Sequence, residues 1–299
     1  MKDFIIITGP TGIGKTKVSI DAAKKFNGEI ISADSMQIYR HLDIGTAKVT
    51  EDEMKGIPHH LIDIVEPGEE FTVKDYRALA KEKIEEIKDR GKLPIIVGGT
   101  GLYINSLIKP FHFGNTPPMQ EFREKMNKLI ADEGLDSVYK LLQKENPDAA
   151  SKVDPMNKNR VIRALEITRY KVEGPPPEVP KYDYLFIGLN TDRDILYERI
   201  NKRVEIMVAE GLLDEVKNLC SMGMAQGIRA TKAIGYIEIL DYLDSLITYE
   251  EAIDKIKQHS RNYAKRQLTW FRRENIKWFD ISDANYENEI LKYIGENIE

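Results

Sequence analysis

Residues 9–16 have the residue types and spacing of a phosphate-binding loop. Their sequence, GPTGIGKT, matches G-x-x-x-x-G-K-[ST] and lies between a short apolar run and a segment of helical periodicity. Glycines let backbone N–H groups turn toward anionic oxygens, and a helix N-terminus adds partial positive charge. Lys15 would supply a cation to the outer phosphate, and the Thr16 hydroxyl is a ligand for Mg²⁺. The pattern predicts a site for a diphosphate or a triphosphate. The predicted phosphate-binding residues are Gly9, Pro10, Thr11, Gly12, Ile13, Gly14, Lys15 and Thr16.

Asp34 is a second candidate for chemistry. It follows the apolar run at 29–33, a predicted strand that would end at the ligand-binding edge of a parallel sheet. A carboxylate there could accept a proton from a nucleophile, but it could equally support a bound Mg²⁺ or cap the next segment. Thr100 follows another predicted strand, where its hydroxyl could donate to a substrate or simply belong to a tight turn.

A parallel sheet would bring these residues together. Strands are predicted at 4–7, 29–33, 93–97 and 184–189 from short apolar runs. Helices are predicted at 16–26 and from a capping box at Thr72 to Gly91. Strand, helix and strand at this spacing indicate parallel βαβ units, and hence an α/β fold with a P-loop NTPase-like sheet.

The pattern changes after Phe111. No strong strand pattern is present up to Pro180, and helices are predicted at 121–133, 137–145 and 159–172. The prolines at 175–177 indicate a stiff connector. We therefore predict a core of residues 1–111 and 183–299, with a largely helical C-terminal part, and an inserted all-helical domain at 112–182.

Composition narrows the class of protein. The 299 residues are 41% hydrophobic and 31% charged, which supports a packed core and argues against disorder. No apolar run approaches the ~20 residues of a membrane helix, and the N-terminus does not have the pattern of a signal peptide. The single cysteine, Cys220, excludes an intramolecular disulfide framework and an all-cysteine zinc site. We expect a monomer in the reducing cytoplasm, without a membrane partner.

Basic residues are concentrated in two segments despite a net charge of −5. The first basic cluster, residues 151–171, has six bases and two acids, and the second, residues 255–277, has eight bases and one acid. Such clusters are typical either of a polyanion-binding surface or of solvated helix faces. Within the second cluster, Trp270 and Phe271 are expected to pack onto the core rather than to stack on bases.

Two motifs of nucleotide hydrolases are missing from the sequence. An ATPase usually places an Asp at the end of a neighbouring strand to hold Mg²⁺, whereas the strand at 93–97 leads into Gly-Gly-Thr. Residues 157–160 lack the Asp of a guanine-reading motif, which argues against a GTPase switch. A kinase, a transferase with a pyrophosphate leaving group and a nucleotide-gated RNA-binding module all remain possible at this point.

Several longer strings occur in an order that resembles the tRNA dimethylallyltransferase family of bacterial type, also called tRNA isopentenyltransferases. The resemblance covers nearly the whole chain and is far more specific than the phosphate loop alone. The matching strings lie at 9–16, 34–39, 43–48, 58–63, 98–103, 159–166, 233–236 and 263–272. The match also includes Arg203, Met207, Gly211, Leu212, Glu215 and Val216.

The resemblance implies transfer of a dimethylallyl group from dimethylallyl diphosphate to N6 of adenine 37 in tRNA, with Mg²⁺. The phosphate loop and Lys15 would then hold the diphosphate, Asp34 would be the general base, and Thr100 would help to place the adenine. The insertion would grip the anticodon arm of the tRNA. The tRNA-binding residues implied are Asp34, Ser35, Met36, Gln37, Thr100, Arg123, Asn159, Arg160 and Arg163, and we add Lys265, Arg266 and Gln267 from the second basic cluster.

Two points stay open within this resemblance. A further cation is expected beside the leaving group, with Arg203 as the first candidate and Arg229 as the second, although either could be a surface ion pair. Ile237 stands where many relatives carry a basic residue, and Lys232 could take its place. Related enzymes prenylate free adenine nucleotides, but an insertion and two basic clusters favour tRNA as the acceptor.

Overall fold

The computed structural model divides into two units. The core unit comprises residues up to Lys109 and from Pro180 onward, and the inserted unit comprises Pro110–Val179. The sequence places these boundaries at 111/112 and 182/183. The predicted proline connector lies outside the described residues. The structure describes residues 2–111, 119–170, 172, 179–223 and 230–299.

Six parallel strands form the sheet of the core unit, in the order β3-β2-β4-β1-β5-β6. The predicted α/β fold with a parallel sheet is confirmed. The strands are β1 (Phe4–Thr8), β2 (Gly28–Ser32), β3 (His59–His60), β4 (Leu93–Val97), β5 (Tyr184–Asn190) and β6 (Lys277–Asp280).

Helices connect the strands and make up most of the remaining described chain. As predicted, α3 begins at a capping box between Thr72 and Asp75. The helices are α1 (Lys15–Lys25), α2 (Glu51–Met54), α3 (Val73–Asp89), α4 (Gly101–Ile108), α5 (Gln120–Glu133), α6 (Leu135–Glu145), α7 (Pro147–Ala150), α8 (Lys158–Arg169), α9 (Arg193–Ala209), α10 (Leu212–Ser221), α11 (Tyr236–Leu243), α12 (Tyr249–Phe271) and α13 (Tyr286–Asn297), with a 3₁₀ turn at Ala230–Lys232. No described helix is both long and apolar enough to cross a membrane.

Strand β1, one of the two central strands, buries side chains on both faces of the sheet. Successive side chains of a strand point to opposite faces. Phe4 and Ile6 belong to one buried hydrophobic cluster, whereas Ile5 and Ile7 belong to another. Helices therefore cover both faces, and the polar ligand-binding groups are confined to the edge where the strands end.

Two local details differ from the sequence predictions, and a third confirms one of them. The helix predicted at 159–172 ends at Arg169. The edge strands β3 and β6 were not predicted, because His59–His60 has no apolar residue and Lys277–Asp280 buries only Phe279. Phe271 is fully buried and Trp270 packs against the same cluster, so their predicted packing role is confirmed.

The inserted unit has its own apolar core, contributed by α5, α6, α7 and α8. Within it lies a fully buried carboxylate, Glu166, which accepts hydrogen bonds from the Met119 backbone N–H and from the guanidinium groups of Arg123 and Arg163. These donors lower the pKa of Glu166 to about 2, although burial alone would raise it. The ion pairs therefore join α5 to α8.

Candidate active site

A cavity of about 620 Å³ opens in the core unit beside the phosphate loop. Its wall combines that loop with residues that follow β2 and β4 and with one face each of α9 and α12. Ligands of open α/β sheets bind at this edge. The lining residues used below are Thr11, Lys15, Thr16, Asp34, Gln37, Thr46, Ala47, Val97, Ile195, Arg199, Lys202, Arg203, Ile206, Tyr263 and Gln267.

The phosphate loop connects β1 to the N-terminus of α1, as its motif requires. The Lys15 ammonium donates to the backbone carbonyls of Gly9 and Pro10, at 3.0 and 2.9 Å. Thr16 is exposed in the first turn of α1. Lys15 and Thr16 both line the cavity, so an anion bound to the helix N-terminus would meet a cation and a hydroxyl.

Asp34 and Thr100 come together because β2 and β4 are neighbours in register, with Ser32 opposite Val97. One carboxylate oxygen of Asp34 accepts from the backbone N–H of Met36 at 2.9 Å, and Thr100 Oγ1 accepts from the backbone N–H of Ser35 at 3.1 Å. A single short turn thus fixes both side chains, and Asp34 lines the cavity.

Helix α9 brings three cations to the cavity. Arg203, the predicted cation, donates to the Thr46 carbonyl at 3.3 Å. Arg199 donates to the Gly12 carbonyl at 3.0 Å, and Lys202 also lines the wall. No sequence pattern above indicates Arg199 or Lys202, yet helical spacing from Arg203 could have suggested Arg199, four residues earlier. Arg229 lies outside the described residues.

Helix α12 closes the cavity with Tyr263 and Gln267. The Gln267 side-chain carbonyl accepts from the backbone N–H of Thr11 at 2.8 Å, and its amide donates to the Gly99 carbonyl at 3.0 Å. Gln267, assigned above to tRNA, is only 5% exposed and joins the phosphate loop to the end of β4. Tyr263, one turn earlier on the same face, belongs to the string 263–272 of the resemblance, but the sequence analysis does not place it beside the phosphate loop.

Burial and charge shift the pKa of three of these groups. Burial, and secondarily the nearby Arg203, lowers the pKa of Lys15 to about 8, while Asp34 opposes the shift. Burial likewise lowers the pKa of Arg203, against the attraction of Asp34. Burial and the Asp34 charge raise the pKa of Tyr263 to about 12, so its hydroxyl stays protonated at neutral pH.

The remaining predicted tRNA-binding residues lie in several places. Ser35 and Met36 belong to the turn after β2, while Lys265 and Arg266 are exposed on α12. Arg123 lies on α5, and Asn159, Arg160 and Arg163 lie on α8, all in the inserted unit. Asn159 and Arg160 are exposed. Ile237 is 39% exposed at the start of α11, and the side chain of Lys232 is not among those described.

The described residues offer no ready-made metal cage. No group of three or more His, Cys, Asp or Glu side chains comes together among them. Mg²⁺ needs no such group, because it commonly binds through one or two protein oxygens together with substrate phosphates. The Thr16 hydroxyl beside the phosphate loop fits that mode of binding.

The structure is thus an α/β protein with a parallel sheet, a loop of phosphate-binding sequence at the carboxyl edge of that sheet, and several cations in the wall of the adjoining cavity. A model of the IPP transferase family matches residues 37–274. The chain belongs to the IPP transferase family.

The similarity to named relatives covers nearly the whole chain. A tRNA dimethylallyltransferase of Thermoanaerobacter sp. (strain X514) is 50% identical over 98% of this chain and 97% of its own length. The crystal structure of a tRNA isopentenylpyrophosphate transferase from Bacillus halodurans is 46% identical, covers 99% of this chain and 96% of its own, and has a TM-score of 0.76. A eukaryotic dimethylallyltransferase, crystallised acting on tRNA, is 31% identical over 100% of this chain and 79% of its own, with a TM-score of 0.80.

The lowered pKa of Lys15 gives diphosphate binding a predictable pH dependence. Below a pH of about 8 the ammonium is charged and attracts the anion, and above it the charge is lost. We expect the affinity for inorganic pyrophosphate to fall between pH 7 and 9, and binding near pH 8 to take up protons. Isothermal titration calorimetry in buffers of different ionisation enthalpy would measure both effects.

The matched control for this experiment is Lys15→Met, in which only the titration of pyrophosphate itself and of other groups remains. An identical pH profile in the parent and in Lys15→Met would show that Lys15 does not titrate in this range.

Proposed function

We propose that this protein transfers a dimethylallyl group from dimethylallyl diphosphate to N6 of adenine 37 in tRNA, in the cytoplasm. Relatives that match nearly all of the chain are named for dimethylallyl transfer to tRNA. The observation that carries the proposal is that the phosphate loop and Asp34 line one cavity. A leaving diphosphate and an acceptor amine could therefore meet there.

The donor half of the reaction calls for fixed positive charge. When the bond between the allylic C1 and the diphosphate oxygen breaks, its electron pair leaves with the diphosphate. Lys15, Arg199 and Arg203 line the wall and would stabilise that growing charge, together with the N–H groups of the phosphate loop. Val97, Ile195 and Ile206 add apolar lining suited to a prenyl group.

The acceptor half calls for a base. The lone pair of N6 would attack C1, and one N6 proton would then pass to the Asp34 carboxylate. The backbone N–H of Met36 fixes one oxygen of that carboxylate. Thr100, held by the backbone N–H of Ser35, would orient the adenine. The base must leave its stack to reach the cavity, which costs least in a single-stranded loop.

Mg²⁺ is the proposed cofactor. Thr16 and the diphosphate oxygens would hold it, and it would supply charge neutralisation of the departing diphosphate.

The inserted unit and the second basic cluster would bind the tRNA arm. Asn159 and Arg160 are exposed on α8, as are Lys265 and Arg266 on α12. Arg123 and Arg163 already pair with Glu166, and they remain 38% and 29% exposed, so each could still reach a phosphate. Such contacts position RNA through its backbone.

Incubation with labelled dimethylallyl diphosphate, Mg²⁺ and unmodified tRNA, followed by nucleoside analysis, tests the proposed reaction. We expect label in N6-dimethylallyladenosine at position 37. Parallel reactions should contain AMP as the acceptor or ATP as the donor. Label in free AMP but not in tRNA would favour a nucleotide prenyltransferase, and phosphoryl transfer from ATP without prenyl transfer would favour a kinase.

Replacing Asp34 by Asn tests the assignment of the base. The amide keeps the size of the side chain but cannot take the N6 proton. We expect single-turnover transfer to slow on the order of 10²–10⁴-fold, the usual contribution of a general base. The affinity for pyrophosphate, measured by calorimetry, should barely change. Transfer within a few-fold of the parent rate would leave Asp34 as a positioning or metal-supporting residue.

Replacing Arg160 by Ala tests the tRNA surface of the inserted unit. Arg160 suits this purpose better than Arg163, whose removal would leave the buried Glu166 with one cation fewer. We expect weaker tRNA binding and a plot of log affinity against log salt that is shallower by about one unit. Lys128→Ala, an exposed change on α5, is the matched control. Equal effects of both variants would place the tRNA contact elsewhere.

A further inference from the structure

Three strings of the sequence resemblance have no role in the scheme above: residues 43–48, the segment around Glu215, and residues 233–236. They are far apart along the chain, yet they meet at one carboxylate. Glu215 lies on α10, and its side chain faces the segment 43–47, which we call the 43–47 loop.

Each carboxylate oxygen of Glu215 accepts two hydrogen bonds. Oε2 accepts from the backbone N–H groups of Asp43 and Ile44, at 3.0 and 2.7 Å. Oε1 accepts from the backbone N–H of Gly45 at 3.0 Å and from the Tyr236 hydroxyl at 2.6 Å. Three successive N–H groups of one loop thus converge on a single carboxylate, an arrangement typical of an anion-binding nest.

Tyr236 holds the same loop from a second side. Its side chain is fully buried, and a Cβ placed on Gly45 would lie 2.5 Å from the Tyr236 ring. Only glycine fits this close approach. Burial and the neighbouring Glu215 raise the pKa of Tyr236, so the hydroxyl stays protonated and donates to the carboxylate.

The far end of the 43–47 loop faces the cavity. The Thr46 carbonyl accepts from the Arg203 guanidinium at 3.3 Å and from the Gln37 amide at 3.2 Å. The Ala47 carbonyl accepts from Gln37 as well, at 3.2 Å. Thr46 and Ala47 themselves line the cavity. The loop therefore stands between Glu215 and two side chains of the candidate site.

We propose that Glu215 is a positioning residue of the transferase: by fixing the 43–47 loop it holds the Thr46 carbonyl where it orients Arg203 toward the leaving diphosphate and Gln37 toward the acceptor. This inference rests on the proposed function for the identity of the two substrates. Glu215 touches neither of them, and its effect passes through backbone atoms.

A carboxylate is well suited to this task because it offers acceptors only. Hydrogen bonds from backbone N–H groups to a charged acceptor are stronger than those to a neutral one. In Glu215→Gln one oxygen becomes an NH₂ donor, and at either position this donor would face at least one backbone N–H group of the loop. The loop would have to shift, and a displacement of about 1 Å can cost 10²-fold in rate.

The test measures binding of inorganic pyrophosphate by calorimetry, together with the donor KM and kcat, for the parent and for Glu215→Gln. We expect pyrophosphate affinity to fall several-fold and donor kcat/KM to fall on the order of 10- to 100-fold. Affinity for tRNA should fall less than affinity for pyrophosphate, because Gln37 is one of many proposed tRNA contacts. Asp214→Asn is the matched control, because it makes the same chemical change on an exposed neighbour and should behave as the parent.

A double-mutant cycle with Arg203→Ala separates positioning from general damage. If Glu215 acts on the diphosphate through Arg203, Glu215→Gln should weaken pyrophosphate binding in the parent but add little in the Arg203→Ala background. Unchanged pyrophosphate affinity in Glu215→Gln, or an equal loss in both backgrounds, would overturn the proposal. Pyrophosphate binding does not require transfer, so this outcome is distinct from failure of the proposed function, which would appear as a parent protein without prenyl transfer.

Thermal melting establishes that each variant is folded at the assay temperature. If Glu215→Gln does not fold, Tyr236→Phe serves instead, because it keeps the buried ring and removes a single hydrogen bond to Glu215. We expect a smaller loss of pyrophosphate affinity in the same direction, about 2- to 5-fold. A parent-like affinity in Tyr236→Phe would then contradict the proposal.

Discussion

The site depends on holding like charges close together before any ligand arrives. Lys15 and Arg203 both face the cavity, and the charge of Arg203 contributes to the lowered pKa of Lys15. Backbone carbonyls of the phosphate loop and of Thr46 accept hydrogen bonds from the two cations, and Asp34 supplies the opposite charge nearby. The cations are thus arranged in advance for a polyanion, so little reorganisation accompanies binding.

Parallel topology makes this arrangement possible, since every strand delivers its following segment to the same edge of the sheet. The chain leaves the core unit after α4 and returns with β5, which pairs with β1, and α9 then supplies Arg199 and Arg203. Gln267 joins the phosphate loop to α12 across 256 residues of sequence. The cavity is therefore complete only when the segments before and after the insertion have both folded onto one sheet.

Short-range patterns were enough to predict the strands β1, β2, β4 and β5, because at each of them a short apolar run ends at glycine or a polar residue. They also predicted Asp34 at the carboxyl edge of the sheet, since the carboxyl ends of parallel strands meet at one edge. Helical spacing from Arg203 points to Arg199, but no short-range pattern assigns Lys202 or Tyr263 to the cavity, because each lies on a long helix whose orientation is set by tertiary packing. Gln267 was predicted to bind tRNA because it lies in a basic segment, yet its side chain is buried. Charge pattern alone does not distinguish the buried face of a helix from the exposed one.

The end of β4 explains how the sheet can lack the carboxylate that nucleotide hydrolases place at this position. A Cβ on Gly98, the residue directly after β4, would lie 2.2 Å from the backbone carbonyl oxygen of Ala33, so this position has no room for a side chain. The turn instead leads to Thr100, whose hydroxyl bonds to the segment that carries Asp34. In the proposed reaction, Lys15 and the cations of α9 would balance the charge of the diphosphate together with Mg²⁺. Asp34 lines the same cavity as these cations, and in the proposed reaction it would serve as the base for the acceptor amine.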